Sequence, residues 1–596
     1  MLYPIMQETT RYREMTSTFG GYNHQLSCAD GQFYDMKNMT SQYFPILSPR
    51  PKRGIVRNLV NPQGILDKEE LMWIDDGKLY VNGKEIALDG VTISTEESMN
   101  PKTMAKMGAY VIIMPDKIWW NADNGECGYM ESKYETSSKV TFTLCEANGT
   151  AITWHDASYY EQNPPKNGDY MMTTVNGKSS LKVYSATTSI WATVATTYMQ
   201  ISAQGIGKGF DKDDGIKITI DKPNGWEYAS NIFVNTEEDG RLSTNTYIVD
   251  KADNTITIIA MLDANKEFTG MKITVERKVP DMAFVTECNN RLWGCSKDGH
   301  EIYCCKLGDV KNWNCFMGVS TDSWAVTIGS DGKFTGAITY LGYPMFFKED
   351  CLIKISISST GGHQTKETKC RGVQRGSERS LAILNETLFY KSTSDICAYA
   401  GSLPVGISDE LGEVRYSDAV ASTIGSRYYI SMKDREGKSH LFVYDQKTNI
   451  WCKEDNTDVL YFCKHGDDLY YIDVANNQMK SIGGTLPYDV EEKQAEDKFD
   501  WFVESGNIGY NSPDNKYVAR INVRISLEFG TNVDFYVQYD SSGRWEHKFN
   551  MCGTGTRTFT VPVIPKRCDH FKYKLVGKGG CKVYSITKTI EQGSDI

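Results

Sequence analysis

The sequence contains no G-x-x-x-x-G-K-[ST] phosphate loop and no G-x-S-x-G nucleophile elbow. Histidine is scarce, at 8 residues in 596. None of His24, His155, His300, His363, His440, His465, His547 or His570 stands in a motif with a Ser or Cys partner. These absences point away from an enzyme and give no reason to expect a cofactor. No apolar run is long enough to cross a bilayer, so no membrane segment is expected. The opening MLYPIMQETTRYREM has neither a basic n-region nor an apolar core, which argues against a signal peptide and for a chain made in a cytoplasm. A net charge of −11 excludes a nucleic-acid binder of the basic-patch kind.

A chain of this length cannot be built around one core, and two to four domains are expected. Aromatic residues are abundant, with 35 Tyr and 12 Trp against only 17 Pro. That balance favours many short strands joined by tight turns. The 16 cysteines would suggest disulfides in a small secreted chain. In a large chain without a signal peptide they read as reduced thiols, often at apolar strand positions such as Cys351 and Cys463.

One unit recurs: an alternating apolar run, a two-residue polar turn, and another alternating run. ELMWIDDGKLYVNGKEI (70–86) turns at Asp76-Gly77. GAYVIIMPDKIWWNADNG (108–125) repeats the pattern. Later copies turn at Asn289-Asn290, Leu341-Gly342, Asn385-Glu386, Gly466-Asp467 and Asn476-Asn477. Hairpin pairs recurring about every 40 to 50 residues signal a radial β repeat, because one blade cannot bury both its faces and needs neighbours to cover them. The expected fold is all-β: a six- or seven-bladed β-propeller.

Two segments break the rhythm. Residues 135–280 continue as β without the blade spacing and read as an inserted β-domain that re-enters the repeat near Pro280. An acidic, linker-like stretch, PYDVEEKQAEDKFD (487–500), precedes strands of clean period two. There Arg520, Asn522, Arg524 and Ser526 face one way and Ile521, Val523, Ile525 and Leu527 the other, as in a half-solvated sheet of a sandwich. The expected organisation is an N-terminal arm leading into the propeller (1–60), a first propeller part (61–134), the insertion (135–280), a second propeller part (281–487) and a C-terminal β-sandwich (488–596).

Residues 19–54, FGGYNHQLSCADGQFYDMKNMTSQYFPILSPRPKRG, hold a Gly-Gly turn, a second turn at Asp30-Gly31, the D-x-x-N of Asp35 and Asn38, and the L-x-x-R-P of Leu47 and Arg50. This segment resembles the opening of a family of phage virion proteins, the β-propeller subunits of tails, nozzles and necks. VPVIP (561–565) followed by Cys568-Asp569-His570-Phe571 resembles a segment at the same position in such proteins from phages of low-GC Gram-positive hosts. The resemblance implies a nozzle- or hub-like virion protein that forms a homo-oligomeric ring on the tail or neck. It would contact portal, adaptor or other tail proteins, retain the genome and line the channel for DNA ejection. An acidic wall suits such a conduit, since DNA slides past like charge without sticking. In this reading Asp35, Asn38, Arg50, Lys52, Arg53 and Arg57 belong to the assembly segment. The basic ones could touch DNA or pair with acidic surface on a neighbouring blade or subunit, and the second is favoured. A receptor-binding or glycan-recognising tail protein is the alternative, with Trp501 and Trp545 as platforms if exposed.

Other constellations argue for no metal. Cys288, Cys295, Cys304, Cys305 and Cys315 lie near His300 but lack paired Cys-x2–4-Cys knuckles. DKDDGIKI (211–218) resembles half a calcium loop, yet its twelfth position is Lys222, which cannot ligate. Asp75, Asp76, Asp467 and Asp468 fall at hairpin tips, where Asp is first a turn residue.

Overall fold

The computed structural model describes residues 11–175, 178–357, 362–484, 494–510 and 514–592. The chain is all-β. Six four-stranded antiparallel meanders occupy 62–86, 103–129, 282–327, 336–369, 382–406 and 417–453. The strands of 459–481 form a seventh sheet. These are the propeller blades, seven by sheet order. Their hairpins close where the sequence places Asp, Asn and Gly: φ is positive at both residues of Asp76-Gly77, Asn289-Asn290, Leu341-Gly342 and Asn385-Glu386. Two such residues in a row match the twist of the flanking strands.

The chain divides into two compact units. The first comprises 1–87, 335–354 and 365–596; the second comprises 88–334 and 355–364. In the first unit, the leading strands of successive blades lie side by side. Pro62–Asp67 adjoins Val459–His465, which adjoins Ser417–Ile424, which adjoins Ala382–Leu384. Large side chains fill the spaces between blades: Trp73 and Tyr470 in one, Tyr429 and Tyr471 in the next, Phe347 and Tyr390 in a third. The seventh sheet is completed from the other end of the chain. Gly54–Asn58 pairs antiparallel with Gln478–Ser481 and carries the fully buried Val56 into the core. Gly54 is required there, because a Cβ would stand 2.8 Å from the Ser481 hydroxyl and 3.3 Å from the Gly484 backbone.

The sandwich also belongs to this unit. One sheet runs Arg11–Thr16, Cys581–Gln592, Lys516–Leu527, Gly555–Val561. The other runs Gly21–Tyr22, Gln32–Lys37, Asp500–Ser505, Phe571–Lys578, Asn532–Tyr539, Glu546–Cys552. Ile521, Val523, Ile525 and Leu527 are buried between the sheets, and Arg520 and Arg524 are exposed, as period two requires. Residues 11–37 therefore do not form a separate arm. They supply strands to both sheets, a pairing that short alternating runs cannot announce in advance.

In the second unit, the blades at 103–129 and 282–327 pack through Ile112, Leu292 and Trp313. Between them in sequence lies the inserted domain, two five-stranded sheets and a smaller four-stranded one. Its first strand, Ser132–Thr136, pairs with its last, Ile273–Arg277, so the insertion leaves and returns at one place. Among the described residues no helix is long and apolar enough to cross a membrane.

Replacing Val56 by Asp is expected to destabilise the first unit by about 3 kcal/mol or more, since a carboxylate would be buried without a partner. Chemical denaturation followed by tyrosine and tryptophan fluorescence measures it. A loss below about 1 kcal/mol would show that the closing strand contributes little.

Candidate assembly site: the latch around Arg50 and Arg53

Between the sandwich strands and the closing strand, the chain passes Asn38, Arg50 and Arg53. Asn38 adopts φ 57°, a left-handed conformation that Asn tolerates better than most residues. Its amide donates to the Asp500 carbonyl at 2.8 Å, its backbone N–H donates to the Glu454 carbonyl, and its Oδ1 accepts from Arg50 Nε at 2.8 Å. Arg50 is buried, and its two terminal nitrogens grip Glu496 at 2.7 and 2.8 Å. Its guanidinium also lies 4.1 Å from the centre of the Phe499 ring. Arg53, equally buried, reaches Glu454 at 2.5 Å, Asp455 at 2.9 Å and the Tyr471 hydroxyl at 3.1 Å. Its backbone N–H donates to Glu496 at 3.1 Å.

Two buried guanidiniums thus face three carboxylates, of which Glu454 is as buried as they are. Burial works against the charge on Arg53, but Asp455, Tyr471 and Glu454 overcome it and hold its pKa above the usual value. Burial likewise opposes ionisation of Asp455 and Glu496, yet Arg53 and Arg50 hold both below the ordinary carboxylate range. Planar, forked Arg suits this bidentate geometry where Lys would not.

The other residues of the opening segment have separate places. Asp35 meets Lys453 at 3.2 Å. Arg57 lies 5.4 Å from the Trp73 ring centre and donates to the Gly83 carbonyl at 3.4 Å. Lys52 is exposed and lines a shallow cleft of about 320 Å³ with Lys498 and Lys582. The acidic stretch read as a linker does more than join domains, because it delivers Glu496. Residues 487–493 of that stretch lie outside the described residues.

Neither tryptophan is an open platform. Trp501 is fully buried, donates to the Gly579 carbonyl at 2.9 Å and lies across Gly577, where a Cβ would come within 2.2 Å of its ring. That position is core because the opposite strand offers a glycine. Trp545 is half-buried, with Lys574 5.6 Å from its ring centre.

The candidate metal residues are also occupied. Around the calcium-like segment, Asp211 meets Lys311 at 2.6 Å, Asp213 meets Lys306 at 3.0 Å and Asp214 meets Arg277 at 2.5 Å. Cys288, Cys295, Cys304, Cys305 and Cys315 are buried, and burial pushes the Cys304 and Cys315 thiols up to about 11. Among the described residues no three His, Cys, Asp or Glu side chains converge on a metal position. Asp75 and Asp468 bond backbone N–H groups at hairpin ends, at 2.8 and 2.7 Å.

A polar cleft of about 1060 Å³ opens beside the sandwich strands, lined by His24, Lys391, Asp409 and Tyr416 among others. Lys391 is buried and donates to the Ser392 carbonyl at 2.5 Å. Burial lowers its pKa to about 8, so near neutral pH its amine can gain or lose a proton. Nothing in the sequence marks Lys391, which ends a short strand buried on both faces.

No family model and no curated protein matches this chain. Solved structures do. An exo-β-1,3-galactanase from Phanerochaete chrysosporium with galactose is 10% identical with a TM-score of 0.20, covering 50% of this chain and 92% of its own. AztD from Citrobacter koseri is 11% identical with a TM-score of 0.23, covering 72% and 98%. Hsv2 from Kluyveromyces lactis is 10% identical with a TM-score of 0.23, covering 53% and 97%. The expectation of a non-enzyme, drawn from missing motifs, is corrected here. Glycoside hydrolases stand among these similar structures, and a missing motif does not exclude chemistry on such a fold.

Replacing Arg53 by Met strands Glu454 and Asp455 and should cost about 3–5 kcal/mol in denaturant unfolding. Adding Glu454→Gln should restore part of the loss, and a double variant no more stable than the single would argue against direct pairing. The latch should also be acid-sensitive. Asp455 and Glu496 are depressed in the folded state. Their contribution is therefore complete above the ordinary carboxylate range, near pH 4 to 4.5, and is lost as pH falls through their lower native values. Protection factors against hydrogen exchange at 50–58 should fall from pH 5 to pH 3, and unchanged ones would refute this.

Proposed function

We propose that the protein is a structural subunit of a phage virion, a nozzle- or hub-like component of the tail or neck. Copies assemble into a ring that retains the packaged genome and forms part of the channel through which DNA leaves. The latch is the observation that carries this reading. Residues 11–58, which include the segment that resembles the opening of phage propeller proteins, contribute to both sandwich sheets, pass through the ion-pair cluster and then complete the seventh blade. A wall component must hold its shape under load, and a strand zipped between two domains and pinned by buried charge resists peeling. The net charge of −11 supports passage of DNA without adhesion. Neighbours in the ring, and portal, adaptor or other tail proteins, would be its partners, and the virion its location.

Immunogold labelling of the virions that carry this chain tests the assignment. Label confined to the neck or tail axis is the expected result, together with ring-shaped particles of the purified protein, alone or with its neck proteins, in mass photometry. Virions that do not label, or a chain that stays monomeric with those partners present, would overturn it.

A further inference from the structure

The smallest sheet of the inserted domain, Trp154–Asp156, Tyr170–Val175, Lys178–Ser185 and Ile190–Thr193, carries a run of aromatic rings at its surface. His155 and Tyr159 stack with centroids 3.8 Å apart. Tyr160 meets Tyr159 edge-on at 5.2 Å and Trp191 at 4.9 Å, and Trp191 meets Tyr184 at 5.2 Å. One face of Tyr159 is covered by His155, yet the residue is 43% exposed. Beside it lies an open polar pocket of about 510 Å³, lined by Trp154, Asp156, Tyr159, Gln162 and Asn163 among others. Asp156 precedes a single helical turn, but its carboxylate makes no capping bond. Asn163 donates to the Tyr159 carbonyl at 3.0 Å, which holds the loop against the stacked ring.

We propose that this pocket binds a neutral oligosaccharide. A sugar ring presents a C–H face that packs on an aromatic ring and hydroxyls that both donate and accept. A supported, half-exposed Tyr beside a carboxylate and two amides offers both kinds of partner. The charge around the pocket selects against acidic glycans: Asp156 and Glu161 flank it, and its lining contains no Lys or Arg. The inference goes beyond the wall function and holds whether or not the chain forms a ring.

The test uses the full-length protein on an array of neutral and acidic bacterial-surface oligosaccharides, with hits titrated by calorimetry. The expected result is binding of neutral members, weakened about tenfold by Tyr159→Ala and by Asp156→Asn. Near-UV circular dichroism and an unchanged melting curve establish that both variants are folded. Should either variant misfold, Gln162→Ala, which alters another part of the pocket lining, replaces it, and loss of the saturation-transfer difference signal of a neutral hit in that folded variant decides the location. Preference for acidic glycans, no glycan bound, or full affinity in the folded variants overturns the proposal.

Discussion

Two buried guanidiniums set against three carboxylates determine how the first unit holds together. Arg50 and Arg53 sit three residues apart on a segment that joins sandwich to propeller. Their partners Glu454 and Asp455 follow the last strand of the sixth blade, and Glu496 precedes the sandwich strand Asp500–Ser505. Stretches far apart in sequence thus converge on one charge cluster. Buried ion pairs seldom add much net stability over apolar packing, because desolvation offsets attraction. Their value here is geometric. A forked cation accepts few alternative arrangements, so the closing strand is offered to the seventh blade in one register.

Much of the fold was legible because blades repeat. Asp76-Gly77, Asn289-Asn290 and Asn385-Glu386 announce hairpins by local chemistry, and the structure bends the chain at each. The inward and outward faces of Lys516–Leu527 follow from alternation alone. What local pattern could not reveal was partnership. Gln32–Lys37 is a strand, but nothing within it states that Asp500–Ser505 will be its neighbour. Pairings across hundreds of residues depend on the whole chain.

The site was legible in a different proportion. The resemblance singled out Asp35, Asn38, Arg50 and Arg53, and the structure brings Asn38, Arg50 and Arg53 into one network while Asp35 pairs with Lys453 nearby. Arg57 and Lys52, close in sequence, stand apart from it. Trp501 was a platform only on condition of exposure, which aromatic content does not show, and the glycine opposite reveals that it is covered. Lys391 and the aromatics around Tyr159 left no motif: the burial of Lys391 comes from neighbouring strands, and although His155 and Tyr159 stack four positions apart, the contact of Tyr160 with Trp191 is made only in the fold.

The strand that completes the seventh blade is made early and its partner late: Asn58 and Gln478 are 420 positions apart. At ribosomal speeds of 5–20 residues per second, that gap lasts roughly 20 to 80 s. Throughout that interval Val56 has no core to enter, and the two edges of its strand are open to any other chain. The basic residues around it, Arg50, Lys52, Arg53 and Arg57, then serve a second purpose. Before Arg50 and Arg53 find their carboxylates, all four are repelling charges on a waiting edge, a common defence against edge-to-edge aggregation. Arg50 and Arg53 thus guard the nascent segment first and fasten it afterwards.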